Sequence, residues 1–150
     1  MIDSAAFYRR RLPHWRQDEA AYFVTWRLAG GQKELSAPER ALVAAELCHQ
    51  QGQRYEIYAY VIMNDHVHVL VRLLGEQRLE KIVHGWKSFT AHRLQRQEGR
   101  RGQIWQPEYF DRIVRGEEEF TEKLEYIVSN PWKRWPELMK YSWVWPRGDQ

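Results

Sequence analysis

Tyr60-Val61-Ile62-Met63-Asn64-Asp65-His66-Val67-His68-Val69-Leu70-Val71-Arg72 is the stretch that decides the fold. The chain is rich in β-branched and aromatic residues from about Tyr55 to Met63 and again from His66 to about Leu73. Asn64-Asp65 between the two runs suits a tight turn, so the whole reads as an antiparallel hairpin. Side chains alternate faces along a strand, which puts His66 and His68 on one face and Val67, Val69 and Val71 on the other. Two imidazoles side by side on a rigid strand can ligate a divalent metal. They can equally form a hydrogen-bonded or solvent-facing pair, and spacing alone leaves both readings open.

Outward from the hairpin, Ala21 to Leu28 has strand composition and is closed by Gly30-Gly31. Ser36-Ala37-Pro38-Glu39 announces a helix to about Gln51, because serine caps the free amides, proline suits the first turn and Glu39 completes a capping box. A second helix is expected from about Leu79 to Gln97, with Ile82, Trp86, Phe89 and Leu94 on its stripe. Gly99 and Gly102 frame a basic turn, and Ile104-Trp105 and Tyr109 to Val114 read as strand pieces around Pro107. A third helix is expected from about Gly116 to Asn130, stopped by Pro131. The order β-α-β-β-α-β-α predicts an α+β fold, a ferredoxin-like sandwich with a central antiparallel sheet and helices on one face. We expect one domain over residues 1–150, with a basic N-terminal arm (about 1–20) and a Trp-rich tail (about 131–150).

The 150 residues are 43% hydrophobic, enough for one core, and carry a net charge of +3. The arginines cluster: Arg9-Arg10-Arg11, then Arg93, Arg96, Arg100 and Arg101, then Arg112 and Arg115. Clustered guanidiniums suit phosphate oxygens, although a solvated basic surface is the plainer reading of any one cluster. The single cysteine, Cys48, excludes an intramolecular disulfide and fits a reducing cytoplasm. No apolar run resembles a signal peptide or a membrane span, so a soluble, cytoplasmic protein is expected. Trp132, Trp135, Trp143 and Trp145 crowd the tail; packing accounts for most of them, and stacking on unpaired bases is the functional alternative.

The third helix holds the other half of a candidate site. With Phe120 set at zero and about 100° per residue, Leu124 falls near about 40°, Ile127 near about 340° and Val128 near about 80°, a buried stripe. Tyr126 at about 240° and Asn130 at about 280° lie off it, one turn apart. A tyrosine can act as nucleophile if its phenolate is favoured by positive charge or its proton is taken by a base. Asn130 offers a neutral oxygen suited to Mg²⁺ or Mn²⁺.

His66-Val67-His68 is the His-hydrophobic-His signature of HUH nucleases, and Tyr126-Ile127-Val128-Ser129-Asn130-Pro131 resembles the tyrosine-bearing helix of single-tyrosine transposases. The sequence is most similar to the REP-associated tyrosine transposases. Arg9-Arg10-Arg11-Leu12-Pro13-His14-Trp15, Trp86-Lys87-Ser88-Phe89-Thr90 and Trp105-Gln106-Pro107-Glu108-Tyr109-Phe110-Asp111-Arg112 extend the resemblance over most of the chain. It implies a metal-dependent single-stranded DNA endonuclease and strand transferase acting on hairpin DNA through a 5′-phosphotyrosine intermediate. In that scheme Tyr126 attacks, His66, His68 and Asn130 hold Mg²⁺ or Mn²⁺, and Arg9, Arg10, Arg11, Lys87, Arg93, Arg112 and Arg115 contact DNA. The protein would work as a monomer or homodimer, without a membrane.

Two departures from the family pattern stand out. Asn130 replaces the usual glutamine, one methylene longer, and Asn64-Asp65-His66 replaces the common Pro-Asn-His turn. Asp65 is then either a partner behind a ligand imidazole or a turn former. Competing functions are a hairpin-DNA-binding module that does not cut, and a metal-dependent hydrolase that uses water and leaves Tyr126 structural.

Overall fold

The computed structural model describes residues 20–147; Arg9, Arg10 and Arg11 lie outside them. The elements run β1 (Ala21–Arg27), α1 (Ala37–Cys48), β2 (Tyr55–Ile62), β3 (His66–Leu73), α2 (Leu79–Glu98), β4 (Phe110–Val114), α3 (Glu117–Arg134) and β5 (Val144–Trp145). The strands form one sheet in the order β4-β1-β3-β2-β5, every neighbouring pair antiparallel. The α+β class and the ferredoxin-like antiparallel sheet are therefore as expected.

The pleat of the central strands sorts side chains into two cores. Val24 and Trp26 of β1, Val67, Val69 and Val71 of β3, and Ile57 and Ile62 of β2 lie beneath α1 and α2. Phe23, Ala59, Val61 and Leu70 point the other way, where Phe120, Leu124, Ile127 and Val128 of α3 cover them. A β-bulge between Ile57 and Ala59 shifts the alternation of β2 by one residue, so both ends of that strand remain in phase with the cores.

The expectation of helices on one face holds for α1 and α2 and fails for α3. Val69-Leu70-Val71 is apolar on both sides, and a strand apolar on both faces needs cover on both. The expected stop at Pro131 also fails, since α3 continues to Arg134 with Pro131 inside it. Proline removes a single N–H donor at its own position. The next turn is held by Trp135 N–H donating to Pro131 O at 2.7 Å, and Pro131 is buried.

The capping box at Ser36 forms: Ser36 Oγ accepts from Glu39 N–H at 3.3 Å, and Glu39 Oε1 accepts from Ser36 N–H at 2.9 Å. Glu39 has a second role. Gly99, in the left-handed region at φ 72°, closes α2 and turns Arg100 back toward α1. Arg100 then donates to both carboxylate oxygens of Glu39, at 2.6 and 2.8 Å, and to the carbonyls of Lys33 and Glu34 at 2.8 and 2.9 Å. This arginine, grouped by sequence with a basic surface cluster, is buried and fully engaged.

The tail packs as expected for most of its indoles. Trp132 donates Nε1–H to Leu138 O at 2.9 Å, Trp135 stacks on Tyr141, and β5 extends the sheet beside β2.

The Arg100 guanidinium holds the Glu39 carboxyl down to about 2, from an ordinary value of 4.5. A depressed carboxyl contributes stability that is complete above the unfolded value and is lost as pH falls toward the folded one. Acid titration followed by urea unfolding should therefore show on the order of 3 kcal/mol disappearing between about pH 4.5 and pH 2. Glu39→Gln should flatten that part of the profile.

Candidate active site

The site lies on the face covered by α3. The register across the sheet aligns Thr25 of β1 with His68 of β3, and Arg27 with His66. Strand geometry therefore fixes both imidazoles beside one another, with ring centroids 4.7 Å apart. Each ring is held from behind through Nδ1. His66 Nδ1 lies 2.6 Å from Asp65 Oδ1, and His68 Nδ1 lies 2.6 Å from Thr25 Oγ1. A carboxylate only accepts, so His66 carries its proton on Nδ1 and turns the Nε2 lone pair outward. With the proton of His68 likewise on Nδ1, its Nε2 carries the free lone pair. That Nε2 atom is buried and has no hydrogen-bond partner.

Burial lowers the pKa of both imidazoles. His68 falls to about 3, chiefly through desolvation, with smaller contributions from His66, Arg27 and Lys123. For His66, desolvation outweighs the opposing pull of Asp65. Both rings are thus neutral near pH 7, the form that ligates a metal.

Tyr126 stands over this pair. Its ring centroid lies 5.2 Å from that of His68 and 5.9 Å from Phe23, both edge-on, and the residue is 41% exposed. Phe23 stacks on His68 at 5.4 Å, so the imidazole, the phenylalanine and the tyrosine form one aromatic cluster. Asn130 is half-buried one turn further along the same helix face. Among the described residues its side chain makes no hydrogen bond, which leaves its amide oxygen unclaimed. No group of three or more His, Cys, Asp and Glu side chains is assembled for a metal among the described residues. The buried, unpartnered Nε2 of His68 beside a second neutral imidazole fits the chemistry of a cation site.

The sequence reading passed over several residues of the site. Lys123 and Lys133 lie three residues before and seven after Tyr126, on the same helix face. Lys133 Nζ sits 5.1 Å from the Tyr126 ring centroid and Lys123 Nζ 4.9 Å from that of Phe23. Their spacing from Tyr126 was the available signal. Thr25, Phe23 and Arg27 depend on strand register and gave no such signal.

The predicted DNA contacts scatter. Arg112 is on the histidine face but is paired with Glu119 at 2.6 Å. Arg115 is exposed at the junction of β4 and α3, and Arg93 is exposed on α2, on the other side of the sheet. Lys87, also on α2, donates to the carbonyls of Gln106, Pro107 and Glu108 at 2.7, 3.1 and 3.3 Å. Its three ammonium protons anchor the loop that leads into β4. The same loop is tied to β1 by Gln106 N–H donating to Arg27 O at 2.9 Å.

A family model described as "Transposase IS200 like" matches residues 34–130. The chain therefore belongs to the IS200-like transposase family. Its fold is that of a REP-associated tyrosine transposase solved bound to a REP hairpin, with a TM-score of 0.69 at 18% identity over 89% of this chain and 82% of that one. A candidate transposase of Deinococcus radiodurans R1 is also similar, with a TM-score of 0.50 at 20% identity over 73% of this chain and 88% of the other. None of the curated proteins compared matches the chain. No helix among the described residues is long and apolar enough to cross a membrane.

Removing the Lys87 ammonium hands three solvent-exposed carbonyls to water. Lys87→Met is expected to cost about 1 kcal/mol, since water replaces the lost donors. Urea denaturation would measure that loss, and limited proteolysis should show new cleavage around residues 106–109.

Proposed function

We propose that this transposase is a metal-dependent single-stranded DNA endonuclease and strand transferase that acts on hairpin DNA. The observation that carries the reading is the ring contact between a half-exposed tyrosine and an imidazole whose outward nitrogen is buried and unpartnered. The Tyr126 hydroxyl oxygen attacks a phosphodiester phosphorus, and the bond from phosphorus to the 3′-oxygen breaks. The phenolic proton leaves the tyrosine, and the departing oxygen acquires one to become a 3′-hydroxyl. The 5′-phosphate stays on the tyrosine, and later attack by a 3′-hydroxyl reverses the step and joins strands. Mg²⁺ or Mn²⁺ held by His66, His68 and Asn130 would polarise the phosphodiester and offset charge building on it.

Thr25 and Asp65 fix the ring orientations, and burial keeps both rings neutral. Arg27, Lys123 and Lys133 give the face a positive field suited to a phosphodiester chain. Arg115, Arg93 and the N-terminal arginines Arg9, Arg10 and Arg11 are candidates for longer-range phosphate contacts, with Arg112 joining them on release from Glu119. We do not assign Lys87 to phosphate, because its protons are engaged by the loop. Hairpin DNA as the substrate class is supported by the ligand of the structurally similar REP-associated transposase, and a cytoplasmic site of action is supported by the single cysteine.

The test is covalent capture on labelled single-stranded hairpin DNA from the sequence flanking the gene, with Mg²⁺ or Mn²⁺. Wild type should give a metal-dependent protein–DNA band on a denaturing gel. Tyr126→Phe should abolish it while binding the hairpin as tightly. Cleavage without an adduct would instead establish a water-using hydrolase, and tight binding without cleavage a recognition module. Thr25→Val removes the partner that orients His68, and calorimetric Mn²⁺ titration should show affinity falling about 10- to 100-fold.

A further inference from the structure

The exposed large aromatic side chains among the described residues are Phe89, Phe110, Tyr126 and Trp145. Their placement on the two faces of the sheet separates them. Phe89 is on α2 and lines a groove with Arg54 and Arg93, away from the histidines. Trp145 aligns with Tyr60, which packs with the core under α1 and α2. Phe110 differs. The register runs Phe110–Thr25–His68 straight across β4, β1 and β3, so Phe110 shares the histidine face. Two strand spacings, about 10 Å, separate its backbone from that of His68.

Phe110 is 57% exposed and is braced edge-on by Phe23, 6.5 Å away at 73°. Phe23 in turn touches both His68 and Tyr126. An exposed ring is thus held in fixed relation to the nucleophile, through one intervening aromatic. Its surroundings are cationic: Arg27 is exposed on this face, and Lys123 lies over Phe23. A flat apolar ring beside positive charge matches a nucleotide, whose base has a π-face and whose phosphate is an anion. The edge strand itself carries Asp111 and Arg112, charges that discourage pairing with another strand.

We propose that Phe110 is the stacking platform for an unpaired nucleobase adjacent to the phosphate attacked by Tyr126. The site would take any base face, so it positions single-stranded DNA more than it reads sequence. This deepens the tyrosine-nuclease reading and rests on it for the location of the attacked phosphate.

The experiment uses the full chain carrying Tyr126→Phe, which prevents turnover, and hairpin DNA with a fluorescent purine analogue at successive single-stranded positions. Fluorescence quenching should peak at one or two neighbouring positions. Adding Phe110→Ala should abolish that peak and weaken binding by about five- to a hundred-fold, and Phe110→Trp should restore both. Unchanged affinity and an unchanged quenching profile in Phe110→Ala would overturn the proposal. So would a change in the free protein's sedimentation, which would assign the ring to contact with a second copy. The two readings fail separately. Failure of otherwise wild-type protein to form a covalent adduct sinks the nuclease while leaving the quenching peak in place. Absence of any quenching peak while Phe110 is intact, with adduct formation by wild type retained, sinks the stacking site.

Discussion

Everything at the site depends on β3 being buried on both faces while two imidazoles occupy one of them. The valines of the strand are committed to the core under α1 and α2. That commitment fixes which way His66 and His68 point, because a shift of one residue would exchange the faces. Burial then removes the water that would otherwise protonate and solvate the rings. The protein compensates with Thr25 and Asp65 behind them and leaves Nε2 of His68 buried without a hydrogen-bond partner. A polar atom left this way in a packed interior is rare, and this one belongs to the ring that Tyr126 meets edge-on.

The hairpin was legible because two runs rich in β-branched and aromatic residues flank Asn64-Asp65, a pair suited to a tight turn. Tyr126 and Asn130 were legible by angle, being off an otherwise clear apolar stripe. The side of the sheet taken by α3 was not read, although Val69-Leu70-Val71 carried the signal of a strand apolar on both faces. Pro131 misled because proline near the end of a long helix removes one donor without forcing a stop. Arg100 and Lys87 were unreadable in a different sense. A basic residue in a turn or on a helix has the same sequence signature whether it meets solvent, a phosphate, a buried carboxylate or a row of carbonyls, and only the tertiary structure decides.

Closeness in sequence also proved a poor guide to closeness in space for the basic residues. Arg93 and Arg100, seven positions apart, are respectively exposed on a helix and sealed in the interior. Arg27, Lys123 and Lys133, distant in sequence, face one site because one is set by strand register and the others by helical period. The positive field around Tyr126 is therefore a product of topology.

The join between Glu39 and Arg100 carries an evolutionary consequence. The carboxylate closes the first turn of α1 and the guanidinium also ties down two carbonyls, so a chain with either residue altered alone passes through a state with a buried, uncompensated charge. Divergence at these positions has to proceed as a paired exchange, or through a background stable enough to carry the unmatched intermediate. Among relatives the two should therefore covary, and a change at one should be found with a matching change at the other.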